Sequence, residues 1–483
     1  MKGFSRSISQ GLVKMNLPPD QLEICLNVLQ QISEDPAVIG EHDRFKSLIA
    51  KIYKQGRKGW RQTQQQQRRI EDSQLKASTV MVQHQHKQQS CAALPESTTR
   101  SQHLHKPILC YICKTRYTEI HFFYHSLCPK CAQFNYQKRQ QRTHLVGRTA
   151  LVTGGRIKIG YQMGLRLLQD GARVILTTRF PYDCANRYSL EPDFEQWRDR
   201  LQIRGLDLRN IPALETFVRD LFHTESALDL IINNAAQTIK RPLAFYQHLL
   251  EREEEASQIL SNNAQALIPS DSNLLKEQLP RHQSILLESQ PNYKARLPGA
   301  IADYFPRDCF DADGQQLDLR PENSWLLKLD EVNTIELLEV QVVNAIAPFI
   351  LNSQLKPLLL RSSFERRFII NVSAMEGQFN RDSKTPYHPH TNMAKAALNM
   401  MTRTSAVDYA RYNIFMNSVD TGWITNENPD PKKIRVQGEQ GFYTPLDAID
   451  GMARIYDPIV QGIENPEPPI YGHFLKDYAP YPW

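Results

Sequence analysis

Apolar and polar positions change their period several times along this chain. In LPPDQLEICLNVLQQI, Leu22, Cys25, Leu26, Leu29 and Ile32 fall at helical spacing, with Asp20 as a candidate N-cap. HDRFKSLIAKIYKQ repeats the pattern through Phe45, Leu48, Ile49 and Ile52, so residues 18–58 predict two short amphipathic helices. From Gln62 to Thr99 the pattern stops. QTQQQQRRIEDSQ and QHQHKQQS hold few large apolar residues and cannot bury enough surface to offset the entropy of ordering. A mobile or loosely helical linker is expected there, with His84 and His86 merely solvated. Beyond Val146 the period alternates. RTALVTGG is a buried-strand run, YQMGLRLLQDGA is helical, and RVILTTR is a second strand.

These changes divide the chain into a helical region at 1–60, a glutamine-rich linker at 61–105, a cysteine-bearing segment at 106–140 and an alternating domain at 145–483. The predicted fold class is α/β, a Rossmann-like doubly wound parallel sheet preceded by the helical region and a small four-cysteine domain. An insertion at about 240–328 interrupts the alternation. YQHLLEREEEASQILSNNAQAL reads as an exposed acidic helix, and the loop-rich stretch from Pro291 to Val332 suits a lid, a substrate-shaping wall or a partner surface.

Composition adds an asymmetry. The 483 residues are 41% hydrophobic and 23% charged, with a mean hydropathy of −0.49. Residues 1–147 carry a surplus of 12 positive charges and the remainder a surplus of 6 negative ones. A basic arm on a neutral or acidic domain is expected, with a protein or nucleic acid as its partner or none at all. No run approaches the ~18 apolar residues of a membrane helix, so no membrane partner is expected. The N-terminus lacks the apolar core of a secretory signal, and its Arg, Lys and Ser also suit an organelle transit peptide.

Of eight cysteines, four fall in two pairs: Cys110-x2-Cys113 and Cys128-x2-Cys131. Two such knuckles set four thiolates at the corners of a tetrahedron, which is the structural zinc geometry. The segment resembles the zinc-ribbon or treble-clef class, with Lys114, Arg116, Lys130, Lys138 and Arg139 on a basic surface and His121 and His125 as bystanders. The scattered remaining thiols suit a reducing intracellular compartment, most simply the cytoplasm.

The turn TGGRIKIG lets a backbone approach a pyrophosphate at a helix N-terminus. It resembles the TGxxxGxG motif of the short-chain dehydrogenase/reductase family. Thr153, Gly154 and Gly160 match, Gly155 follows within the turn, Ile159 sits at the usual aliphatic position, and Lys158 replaces the middle glycine. Further motifs follow in that family's order over 146–483. LDLR sets Asp207 and Leu208 where the family holds adenine, and DLIINNAAQ keeps Asn234 and Ala235 of its NNAG strand end. VVNAIAPFIL puts Asn344 at the helix asparagine of the proton relay, and SVDTGWIT keeps Gly422 and Thr425 of the segment beside the nicotinamide. Arg179 ends the second strand with no acid beside it, which favours NADP over NAD.

The resemblance implies a tyrosine, lysine and serine that move the substrate proton. Here Lys395 is kept, Thr391 stands for the tyrosine, and Ala374 stands at the serine position with Ser373 one residue early. The candidate catalytic set is therefore Lys395, Asn344, Thr391 and Ser373, with Tyr387, His388 and His390 upstream as substitutes for the missing acid. Three functions remain open. One is an oxidoreductase acting on an unidentified carbonyl or alcohol with an altered proton donor. Another is a catalytically inactive dinucleotide sensor or scaffold working through the zinc-ribbon arm, and the third is a nucleic-acid-associated protein. The resemblance also implies a homo-oligomer.

Overall fold

The strand-forming runs of the central sheet between Thr149 and Asp420 are rich in Val, Ile and Leu, as strands covered on both faces must be. The computed structural model describes residues 18–40, 42–86, 102–259, 261–269, 301–311, 313–381 and 384–483. The chain divides into two compact units, Met1–Asp72 and Ser73–Trp483.

The first unit holds α1 (Pro19–Glu34) and most of α2 (Asp43–Ala77), and neither helix buries a residue. The glutamine run expected to be a linker lies inside α2. Gln, Arg and Lys are good helix formers, and no Pro or Gly interrupts them between Gln62 and Ala77. Residues 87–101 of the expected linker lie outside the described residues.

In the second unit α3 (Val80–His86) buries Val80, Met81 and Val82. A hairpin of β1 (Gln102–Leu109) and β2 (Arg116–Ile120) follows, then α4 (Pro129–Gln140). Met81, Leu104, Phe123, Tyr124 and Leu127 form its core together with Leu446 from far along the chain.

The alternating region gives β3 (Thr149–Thr153), α5 (Lys158–Gln169), β4 (Arg173–Thr178), α6 (Pro181–Ser189), β5 (Leu201–Gly205), α7 (Ile211–Thr224) and β6 (Leu230–Asn233). The insertion opens with α8 (Leu243–Ile259). After it come α9 (Thr334–Gln341), a π-helical turn at Val342–Ile346, α10 (Ala347–Gln354), β7 (Arg367–Ser373), α11 (Pro389–Ala410) and β8 (Ile414–Asp420). The described chain ends with α12 (Asp430–Gln440), α13 (Ala448–Glu464), β9 (Phe474–Lys476) and β10 (Ala479–Tyr481). The sheet order is β5-β4-β3-β6-β7-β8-β9-β10, parallel throughout except for β10. Apolar clusters cover both faces. The order reverses between β3 and β6, so a ligand crevice lies outside their C-terminal ends.

Two expectations change. The run Thr334–Gln354 is long and apolar enough to cross a membrane by length and composition, although its Ala347 and Leu351 belong to the core of the sheet. The acidic helix of the insertion is not exposed throughout. Phe245, Leu249 and Glu253, spaced one turn apart, are buried, and Glu253 accepts hydrogen bonds from the Tyr182 and Asp183 amides at 3.2 and 2.8 Å, capping α6. Burial pushes the Glu253 carboxyl up to about 7.

Candidate active site

The turn between β3 and α5 stands at the reversal of strand order. Gly154 has φ +72°, and a Cβ there would meet the Ala235 Cα at 3.0 Å. A Cβ on Gly155 would strike Leu176 at 2.7 Å, and one on Gly160 would meet the Gly154 carbonyl oxygen at 2.1 Å. Asn234 Nδ2 donates to the carbonyls of Thr153 and Gly154 at 3.0 and 3.1 Å, while the Ala235 amide donates to Thr153 Oγ1 at 3.0 Å. Ile159 packs toward Gly451 of α13 rather than into the crevice. Lys158 begins α5 with φ +54°, a left-handed conformation that costs a lysine roughly 1–2 kcal/mol. Its Nζ reaches toward Asp313 of the insertion, 3.8 Å away.

Beyond β4, Arg179 is exposed and holds its guanidinium 4.6 Å above the ring of Tyr246 on α8. Burial raises the Tyr246 phenol, but Arg179, Arg241 and Arg209 outweigh it and hold the phenol below its ordinary value. The Asp207 carboxylate, expected to hold adenine, instead accepts from Arg209 Nε at 3.0 Å and Nη2 at 2.5 Å. The Leu208 side chain is buried.

At the other end of the crevice, the π turn presents Asn344. Its Oδ1 accepts from the Gln237 amide at 2.7 Å and its Nδ2 donates to the Gln237 carbonyl at 3.0 Å. Lys395 on α11 is buried and donates to the Val372 carbonyl at 2.8 Å. Burial pulls its ammonium down to about 8, with Glu376 working in the opposite sense. Thr391 lies one turn earlier, buried, with no hydrogen-bond partner for Oγ1. Ser373 turns into the packing between β7 and α11 and donates to Asn399 Oδ1 at 2.6 Å, so it is not a crevice residue. Alternation along β7 gives it the face opposite to Ala374.

The three upstream candidates separate clearly. Tyr387 is exposed. His390 is buried, with Nε2 3.6 Å from Glu336 Oε1 on α9. His388 has φ +44° and caps α11. Its ring stacks on Trp325 of the insertion at 3.8 Å and 5°, and its Nδ1 lies 3.0 Å from the Trp325 carbonyl oxygen. Burial lowers the His388 imidazole below its ordinary value.

After β8, Gly422 has φ +79° and the Thr425 hydroxyl donates to Glu427. Burial raises the Glu427 carboxyl, while Lys158, Thr425 and Arg241 together hold it below its ordinary value. The insertion ties these walls together. Besides Asp313 near Lys158, the Asp318 amide donates to Asp430 Oδ2 of α12 at 2.6 Å, and Asn323 Nδ2 donates to the Glu427 carbonyl at 2.8 Å.

Two family models match this region: short chain dehydrogenase over residues 148–278, and enoyl-(acyl carrier protein) reductase over residues 327–439. An uncharacterized protein of Acanthamoeba polyphaga mimivirus is 31% identical over 362 residues, covering 72% of this chain and 71% of that one. The chain belongs to the short-chain dehydrogenase family. The 2-dehydro-3-deoxy-D-gluconate 5-dehydrogenase of Formosa agariphila is 27% identical over 133 residues, covering 26% of this chain and 47% of that enzyme. An NADPH-bound carbonyl reductase from chicken fatty liver is 17% identical, with a TM-score of 0.43, covering 70% of this chain and all of that one.

As a short-chain dehydrogenase the chain keeps the glycine turn, and the close approaches at Gly154 and Gly160 fit a nicotinamide dinucleotide's pyrophosphate. It departs from the family's motifs at Lys158, Ala374 and Thr391, and also at Ala236 and Thr421, which stand for a glycine and a proline.

The four-cysteine cluster fits a metal. Its sulfurs all lie within 4.8 Å of one another, with Cys113 and Cys128 at 3.7 Å, and tetrahedral Zn–S bonds of ~2.3 Å space sulfurs by about 3.8 Å. The Cys128 amide donates to Cys110 Sγ at 3.3 Å. Among the described residues the cluster consists of these four cysteines. The segment is not a free basic arm. Arg139 pairs with Asp447 and Asp450 of α13 at 2.6 and 3.0 Å, Lys138 pairs with Asp457, and Tyr124 donates to Asp450 at 2.5 Å. Tyr111, inside the first knuckle, accepts from the Trp423 amide.

Sequence reasoning missed the stacking of Trp325 on His388, the engagement of Thr425 by Glu427, and Tyr111. A tyrosine within a CxxC knuckle carries no motif, Thr425 and Glu427 stand two residues apart in a loop that has none either, and only the insertion brings Trp325 to His388.

Proposed function

We propose that this short-chain dehydrogenase is an NADP(H)-dependent oxidoreductase of a small alcohol or carbonyl compound, in which His388 takes over the proton transfer of the missing tyrosine. The observation that carries this reading is the clamped His388 ring. With Nδ1–H donated to the Trp325 carbonyl, Nε2 is left to accept a proton, and burial keeps the imidazole neutral near pH 7. Arg179 supports NADP, since its exposed guanidinium at the end of β4 suits a 2′-phosphate. A dinucleotide held at Gly154, Gly155 and Gly160 would supply hydride-transfer chemistry. The chain's own groups do the rest. Thr391 Oγ1 orients the substrate oxygen, His388 removes its proton during alcohol oxidation, and Lys395 with Asn344 stabilises the surrounding charge and hydrogen bonds. A zinc ion on Cys110, Cys113, Cys128 and Cys131 has a structural role, because four cysteines leave no open position.

Ala374 and the alkyl hydroxyl of Thr391 favour a second reading, a dinucleotide-binding protein without turnover. One set of experiments separates the two. Fluorescence titration with NADPH and NADH is expected to give saturable binding that prefers NADPH, and Arg179→Ala to cut that preference roughly tenfold. In an alcohol and carbonyl screen, His388→Gln is expected to abolish turnover while leaving NADPH affinity unchanged. Unchanged turnover in His388→Gln would sink the proposed role. Binding without turnover, followed by activity in Thr391→Tyr, would select the second reading.

A further inference from the structure

The first unit carries a basic and amphipathic surface of its own. Between Arg44 and Arg69 stand nine Lys and Arg and no Asp or Glu, all within α2. At ~100° per residue, Phe45, Leu48, Ile49, Ile52, Tyr53 and Trp60 share one sector about 140° wide, and the nine cations occupy the opposite sector of about 160° without overlap. Ile52, Tyr53 and Trp60 are exposed at 63%, 67% and 62%. Tyr53 and Trp60 stand on the border beside Lys46 and Arg57, where aromatic rings that are apolar on one side and polar on the other meet a lipid–water interface.

We propose that this helix lies on an anionic lipid surface, with its apolar sector in the headgroup region and its cations among the phosphates and carboxylates around it. Two arguments favour lipid over other anionic partners. A nucleic acid would neutralise the cations but offers nothing to a sector of Leu, Ile and Trp. A protein groove that takes such a helix by its apolar face would compete with α1, whose Leu29 and Ile32 already share a groove with Phe45, Ile49 and Tyr53. A flat surface needs only one side, and Leu22 and Leu26 of α1 are exposed as well. Such contact requires no membrane-crossing segment, and it departs from the expectation, drawn from the absence of long apolar runs, that no membrane partner exists.

The test is sedimentation of the full-length protein with vesicles of phosphatidylcholine alone, or of phosphatidylcholine mixed with phosphatidylserine. Binding is expected to the mixed vesicles only, weakening as salt rises. Ile52→Glu with Trp60→Glu, and separately Lys54→Glu with Lys58→Glu and Arg61→Glu, are each expected to reduce it at least ~tenfold. Circular dichroism checks that both variants keep their helix content. No binding to the mixed vesicles overturns the proposal, as does binding that the Ile52 and Trp60 changes leave intact. Salt-sensitive retention of DNA or RNA without vesicle binding would assign the surface to nucleic acid instead.

Discussion

The Trp423 amide donates a 2.9 Å hydrogen bond to the Tyr111 hydroxyl, joining a cysteine knuckle to the loop that follows β8. Tyr111 sits between Cys110 and Cys113, so whatever fixes those two thiolates also fixes this acceptor. The adjoining Gly422, at φ +79°, admits no side chain, because a Cβ there would meet Leu446 at 2.5 Å.

Metal removal is therefore expected to reach the crevice. Chelation, or Cys113→Ser, should shift Trp423 emission and weaken NADPH binding about tenfold. Tyr111→Phe, which deprives one amide of its acceptor, should cost ~1 kcal/mol, or about fivefold. Fluorescence titration of metal-loaded and metal-free protein checks this, and equal affinities would show that the knuckle and the crevice act independently.

Glu427 brings a carboxylate to the Thr425 hydroxyl and into the field of Lys158, both of which a dinucleotide's phosphates would also use. Like charges compete for the same cation. Glu427→Gln is expected to tighten NADPH binding by roughly 0.5–1 kcal/mol, an advantage that shrinks at high salt. Weaker binding in this variant would mean that the carboxylate holds the site in shape rather than competing for it.

Much of this arrangement could be read from the sequence, and the rest could not, for physical reasons. The alternation from RTALVTGG onward, the glycine turn and the paired cysteines are local patterns, and local patterns survive folding. Strand alternation alone turns Ser373 away from the face of Ala374. The glutamine run, expected as a mobile or loosely helical linker, is helical as far as Ala77, because low apolar content rules out a core but not a helix. The pairs Arg139–Asp447 and Trp325–His388 join distant parts of the chain, and nothing in the neighbourhood of either partner announces the other.

Stability should respond to Asp420, at the end of β8. Burial pushes its carboxyl up to about 6, with Lys476 opposing. The folded state holds this proton after an unfolded carboxylate, with an ordinary value of ~3.9, has lost it. Its contribution is therefore full below about pH 4 and is lost as pH rises through about 6. Asp420→Asn is expected to flatten the pH dependence between about 4 and 6, and to stabilise the protein above that range by on the order of 2–3 kcal/mol. Denaturant titrations across this range measure it, and parallel curves for variant and parent would contradict the assignment.

The docking of the cysteine segment on α13 also has a consequence in time. Arg139 and Tyr124 meet Asp447 and Asp450 across 308 and 326 residues of chain. At ~5–20 residues per second, the ribosome delivers the partner helix roughly 15–60 s after the knuckles emerge. During that interval the hairpin has its thiolates but not its berth. The nascent chain is then the form most open to metal capture, oxidation or a chaperone.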